Sequence, residues 1–150
     1  MSTDNTLKSF ILQGKAAFSL HVGIISQVEG DQYTVFAIDS DYEGIHQGDI
    51  FELQNTYCRD VISQGKTMTY DDVAVISEML KHPCYVNTQL RAYIGTPLFI
   101  NGQVWGTLNF SSQKPQQPIF SAQEYKLVES IARQVEKTIE NDLNSTTDVA

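Results

Sequence analysis

The sequence predicts an α+β domain, with a mainly antiparallel sheet and helices outside it. Three observations predict it. Apolar residues recur at three and four near both ends of the chain, the period of an amphipathic helix. Between them lie runs that alternate apolar and polar residues, separated by two-residue turns. Those turns, Gly30-Asp31 and Asn101-Gly102, are the kind that join neighbouring antiparallel strands.

The first helix is expected over about 5–21, with Leu7, Phe10, Ile11, Gly14, Ala17, Phe18 and His21 on one stripe. Ile24, Ile25 and Val28 then read as a strand ending at Gly30-Asp31, and Gln32 to Ile38 as its hairpin partner, rich in Tyr, Thr, Val and Phe. Residues 39–48 have loop composition, and Asp49 to Leu53 reads as a short third strand. Asn55 or Thr56 is placed to cap a helix carrying Tyr57, Val61 and Ile62, which Gly65 stops. Thr67 to Tyr70 is a brief strand, and Asp71-Asp72 caps a short helical stretch reaching Leu80. His82 precedes proline and so leaves helical angles, while Pro83 suits the first position of a new turn running towards Leu90. Ala92 to Ile100 and Val104 to Phe110 alternate on either side of Asn101-Gly102. Ser121 and Glu124 have capping-box spacing for the last helix, about 121–143, whose stripe is Tyr125, Val128, Ala132, Val135, Ile139 and Leu143, widened by Leu127 and Ile131. The polar tail 144–150 is expected to be disordered. The domain is thus a single unit over 1–150, with a sheet core over 22–112.

Composition narrows the function. Apolar residues make up 41% of the 150, enough for a packed interior. Ten Lys and Arg against eighteen Asp and Glu leave a formal charge of −8, which disfavours a nucleic-acid surface or docking on anionic lipid. No apolar run approaches a membrane span, and the polar start lacks the features of a signal peptide. Cys58 and Cys84 are too few for a disulfide framework, so a reducing cytoplasm is expected. No phosphate-cradling glycine series and no nucleophile-elbow sequence occurs.

Several segments carry a resemblance. These are Val22 to Val35, the stretch Asn55-Thr56-Tyr57-Cys58-Arg59-Asp60-Val61, Asp71-Asp72-Val73, and His82-Pro83-Cys84-Tyr85. To them belong Ala92-Tyr93-Ile94-Gly95-Thr96-Pro97-Leu98 and Val104 to Ser112. Together, over about 18–140, they resemble the GAF domain of bacterial sensor histidine kinases and diguanylate cyclases. The resemblance implies a six-stranded antiparallel sheet, with the first and last helices on one face and a ligand pocket on the other. The chain carries no kinase or cyclase signature, so an output activity would belong to a partner or to a longer protein. The terminal helices of such domains commonly form a dimer bundle. Leu127, Ile131 and the Leu7/Ile11 edge are the residues expected to serve a homodimer here.

More distantly, the chain resembles the free methionine sulfoxide reductases, in which a cysteine of the central segment works with one in the preceding helix. Cys84 and Cys58 would take those roles. Cys84 sits in the first turn of a helix, a place that lowers thiol pKa. The family's carboxylates near the positions of Tyr93 and Asn109 are absent, however, and so is a third cysteine. The reading of both thiols as small buried hydrophobes outweighs the redox pair. Bilin attachment, as in phytochrome-like relatives, is disfavoured because Tyr85 follows Cys84 where a histidine is expected. His21, His46 and His82 show no metal-ligand spacing, and no metal or cofactor is expected.

The aromatic residues point instead to a binding wall. On the strand 104–110, Trp105, Thr107 and Asn109 share one face by strict alternation, an aromatic with two polar neighbours. Tyr57, Tyr70, Tyr85 and Tyr93 join them as candidate ligand-binding residues, with Arg91 as a polar contact. The competing reading is ordinary core on one side and solvated sheet on the other. The function expected is a non-catalytic sensory module that binds a small molecule, a nucleotide or a metabolite, with a thiol reductase as the alternative.

Overall fold

Val22–Glu29 (β1) and Gln32–Ser40 (β2) form the first hairpin, turning at Gly30-Asp31. Ala92–Ile100 (β5) and Gln103–Ser112 (β6) form the last, turning at Asn101 and Gly102 with φ of 53° and 77°. Both central residues lie in the left-handed region, the type I′ geometry that matches strand twist. Two short strands, Ile50–Glu52 (β3) and Met68–Tyr70 (β4), close the edges. The sheet has six strands in the order β3-β2-β1-β6-β5-β4, every pair antiparallel. The computed structural model describes residues 3–149.

The terminal helices, Thr3–Phe18 (α1) and Ala122–Val149 (α4), lie together on one face. Their stripes enter one core with Ile25, Ile94, Leu98, Leu108 and Phe110 of the sheet. Ser19, with φ of 56°, ends α1 short of the expected boundary at 21. At the other end the capping box forms as read: Ser121 N–H donates to Glu124 Oε1 at 2.9 Å and Glu124 N–H to Ser121 Oγ at 3.1 Å. The helix then runs on through the segment expected to be a disordered tail, as far as Val149. Ala150 lies outside the described residues.

Leu7, Ile11 and Ile131, expected at a dimer seam, are completely buried within this one chain, and Leu127 packs partly against the same core. Periodicity marks a face as apolar without saying what covers it. Here the sheet and the neighbouring helix do.

The other face of the sheet carries a second core, built with Cys58–Gln64 (α2), Pro83–Thr88 (α3) and short 3₁₀ turns at Leu53–Asn55, Val73–Val75 and Ser77–Met79. Gly65 ends α2 with φ of 65°, as expected. Neither Asn55 nor Thr56 caps it. The N-cap is Tyr57, without a side-chain bond, because Thr56 Oγ1 donates back to the Leu53 carbonyl at 2.9 Å. Asp72 caps the turn at Val73–Val75, and Asp71 accepts from Phe120 N–H at 2.9 Å instead.

Two bulges adjust the sheet. Ile25 pairs with Ala37 and Ser26 with Val35, so Phe36 is an inserted residue in β2. Leu98 pairs with Gly106 and Phe99 with Val104, so Trp105 is inserted in β6. Both extra side chains pack on the helix-side core and meet edge to face, centroids 5.0 Å apart. The bulge breaks the strict alternation that had placed Trp105 beside Thr107 and Asn109.

Gly14 lies close against the sheet: a Cβ there would overlap the Phe110 Cζ. Gly14→Ala should therefore destabilise the fold by about 1–3 kcal/mol through overpacking. Urea unfolding would measure it, and adding Phe110→Leu should recover part of the loss.

Candidate functional site

Between the second face of the sheet and the segments covering it lies a cavity of about 480 Å³. Its floor comes from β1, β2 and β6: Val22, Ile24, Tyr33, Asn109 and Ser111. Period-two alternation below the bulge places Thr107, Asn109 and Ser111 on this face, while Leu108 and Phe110 join the helix-side core. Tyr57 and Cys58 enter from the start of α2, Cys84 and Thr88 from α3, and Tyr93 from β5. The loop after β2 supplies the rim through Tyr42 and Glu43, joined by Glu52 of β3. That loop is pinned: the Tyr42 hydroxyl is 2.8 Å from His21 Nδ1 and accepts from Gln113 N–H at 2.9 Å.

A buried polar network lies behind the floor. Ser26 Oγ and Thr107 Oγ1 are 2.6 Å apart, and Asn109 Nδ2 donates to Thr107 Oγ1 at 3.1 Å and to the Tyr33 hydroxyl at 3.4 Å. Cys58 Sγ closes the network, 3.3 Å from Thr107 Oγ1 and 3.0 Å from the Tyr93 hydroxyl. The Tyr93 ring lies over Gly95, where a Cβ would overlap its hydroxyl. Tyr57 donates to the Leu90 carbonyl at 2.6 Å, meets Tyr93 and Tyr70 edge to face and meets His82 at a tilt. On the cavity side, Asn109 Oδ1 and Ser111 Oγ have no hydrogen-bond partner among the described residues, although both residues are almost fully buried. They are a ready acceptor and a ready hydroxyl at the inner end of the cavity.

Of the residues expected to bind a ligand, Tyr57, Tyr93 and Asn109 line the cavity. Thr107 is one layer behind, spent in the network. Tyr70 bonds to the Asp60 carboxylate, Tyr85 packs at the edge of the second core, and Arg91 forms a two-pronged ion pair with Asp72 at 2.9 and 2.7 Å. Trp105 is on the opposite face. Sequence reasoning passed over Ser111, which the alternation through Thr107 and Asn109 would have reached one step later. Tyr33, Tyr42, Glu43 and Glu52 were passed over as well. Tyr42, Glu43 and Glu52 come from loop and edge segments, where no periodicity points inward.

The cavity's chemistry is set by burial. Both cysteines line it, and both are free. Desolvation raises the Cys58 thiol and pushes Cys84 up to about 11, which overturns the lowered pKa expected from its helix position. Desolvation also raises the Tyr33, Tyr57 and Tyr93 phenols, leaving them neutral. No Lys, Arg or His among the described residues lines the cavity. Among the described residues no three His, Cys, Asp or Glu side chains gather as a metal site, and no helix is long and apolar enough to cross a membrane.

His82 holds α3 in place. Its Nδ1 accepts from Cys84 N–H at 3.0 Å, so in the neutral ring the proton is on Nε2, which is buried without a partner. Desolvation, and next the Arg59 charge, depress its pKa below the ordinary 6.5. The unfolded chain then binds the proton first. Stability should be unaffected above pH 6.5 and fall as pH drops below it, by at most about 1.4 kcal/mol per unit. In His82→Asn, which retains an acceptor for Cys84 N–H, that acid slope should vanish from denaturant melts taken between pH 7 and 5. For the thiols, alkylation of native Cys84 at pH 7.5 should run roughly a hundredfold slower than for an exposed cysteine. Its rate should climb about tenfold per pH unit, and Cys58 should react only after denaturation. Mass spectrometry of timed iodoacetamide digests would read both.

A comparison with curated proteins finds no match. Solved structures do match. The GAF domain of an Acinetobacter phosphoenolpyruvate-protein phosphotransferase aligns at TM-score 0.77 and 15% identity, covering 98% of this chain and 87% of that one. Free methionine-R-sulfoxide reductase from Neisseria meningitidis, in complex with its substrate, aligns at 0.75 and 18%, covering 96% and 81%. The phycocyanobilin-bound GAF domain of a cyanobacterial phytochrome aligns at 0.75 and 15%, covering 94% and 86%. At such identities the likeness is one of fold. The GAF domain family model matches residues 11–139, and with the six-stranded sheet and its two helical layers this places the chain in the GAF domain family.

Proposed function

We propose that this chain is a non-catalytic sensory domain that binds a small molecule and passes its presence on through the terminal helices. The observation that carries the reading is the cavity floor. Two nearly buried side chains, Asn109 and Ser111, present hydrogen-bonding atoms with no protein partner to an aromatic-walled space of about 480 Å³. Both atoms are open to the cavity, so a ligand there can pair with them in place of water. The setting we propose is a bacterial cytoplasmic signalling system, with a kinase or cyclase as output partner and no nucleic-acid or membrane partner. A homodimer through α1 and α4 belongs to the same proposal. With Leu7, Ile11 and Ile131 buried, it would draw on Leu12 and Leu143, which those helices expose among the described residues. The absence of a lining cation weighs against a nucleotide, whose phosphates need one. It weighs equally against a bilin like that in the phytochrome relative, since a linear tetrapyrrole brings two carboxylates.

A thiol reductase is the second reading, and one observation favours it: Cys58 and Cys84 open onto the same cavity in a fold shared with free methionine-R-sulfoxide reductases. The raised thiol pKa values count against it, because the thiolate is the nucleophile.

Native mass spectrometry separates the two. The sensor reading expects an adduct on the purified chain that is lost on denaturation and lost again in the variant Asn109→Leu/Ser111→Val. It also expects no turnover of free methionine sulfoxide by the reduced protein. Turnover abolished by Cys84→Ser would establish the reductase instead.

A further inference from the structure

The charges around the cavity select among ligand classes. Its buried groups are all uncharged: the Tyr33, Tyr57 and Tyr93 phenols and both thiols are held in their protonated forms by burial. The charged groups that line it are two carboxylates at the rim, Glu43 and Glu52. Lys66, Lys81 and Lys114 flank the neighbouring elements without lining the cavity, and three other cations nearby are engaged by acids. Lys15 is 2.7 Å from Asp39 and 2.9 Å from Asp41, Arg59 is 3.4 Å from Asp60, and Arg91 is 2.7 Å from Asp72. The chain as a whole carries −8, so its field draws cations and repels anions.

The walls agree with the rim. Tyr33, Tyr42, Phe51, Tyr57 and Tyr93 surround the cavity with aromatic rings, which attract an ammonium group electrostatically as well as covering an apolar ligand body. Deeper in, Asn109 Oδ1 and Ser111 Oγ await a donor and a hydrogen-bonding head. A positive group near the rim, an apolar body against the rings and a polar inner end fit every one of these features. An anion would meet two carboxylates and no lining cation.

Resting on the reading of this cavity as a ligand site, we infer that its ligand class is a small organic cation, an amine or quaternary ammonium carried on an aromatic or aliphatic body, held between the tyrosine walls with Glu43 and Glu52 as its counter-charges.

Three probes of one shape test this: phenethylammonium, 2-phenylethanol and phenylacetate, titrated at equal ionic strength into isotope-labelled protein while the amide signals of Asn109 and Ser111 are followed. The expected result is that phenethylammonium binds about tenfold more tightly than the alcohol, with phenylacetate weakest. In the double variant Glu43→Gln/Glu52→Gln, whose substituted side chains are exposed, the preference for the cation should collapse. Phenylacetate binding as well as phenethylammonium, or a preference that survives the double variant, overturns the cation class and leaves the ligand-site reading standing. Silence from all three probes, with a native mass spectrum whose adduct is identified as neutral or anionic, also overturns the cation class alone, whereas an organic cation as the adduct supports it. Silence together with a bare chain mass overturns both.

Discussion

Asn109 and Phe110 are neighbours on β6, yet they face two separate interiors. The pleat of that strand sends Leu108 and Phe110 into the core under α1 and α4, and Thr107, Asn109 and Ser111 towards the cavity. β6 lies between β1 and β5 at the middle of the sheet, so both of its faces are covered and its register cannot slip without exchanging the two sets. The helix side is held by close packing, above all Phe110 against Gly14, Gly23 and Phe18. The cavity side is held by hydrogen bonds, Ser26 to Thr107 across the pair and Thr107 onward to Cys58.

Two opposing influences meet at Cys84, and their sizes decide its chemistry. A helix start stabilises a thiolate, but α3 is one short segment and its dipole acts over only the first turn. Burial beneath Tyr57 acts in the other direction and wins. The Cys84 amide, which might have faced the thiolate, is instead taken by His82 Nδ1. The same argument covers Cys58, whose neighbours are neutral hydroxyls rather than cations. The cavity is thus a low-dielectric space without internal charge, and any charge it recognises must be met at its mouth.

Local chemistry was legible in the sequence wherever one residue type dictates one geometry. Asn101-Gly102 turns, Gly65 stops a helix, Pro83 starts one, and Ser121 with Glu124 caps one. Alternation found Asn109 as well. It failed at Trp105 because a bulge inserts one residue, and nothing in Val104-Trp105-Gly106 announces the insertion; it is specified by the room for Trp105 against Phe36. Arg91 was misread for a related reason. Its partner Asp72 is nineteen positions away in the chain, and only the fold brings the two together. The rim carboxylates were illegible because exposed Glu43 and Glu52 resemble any solvated acid until the loop after β2 is pinned over the cavity by Tyr42.

That division bears on how a bound molecule would be felt at a distance. The cavity and the terminal helices share no side chain, but they share β6, and alternate residues of that strand serve each of them. A ligand that draws Asn109 and Ser111 inward displaces a backbone whose other face carries Phe110, and Phe110 has no slack because Gly14 is already in contact with its ring. Under the proposed function, close packing would convert a small shift of the strand into a change in how α1 sits on the sheet, and α4 packs against α1 in the same core. Binding can bias the helices only to the extent that the ligand prefers one of their arrangements over the other. The Gly14–Phe110 contact is one place where that preference would be expressed, since a Cβ at Gly14 would overlap the Phe110 ring.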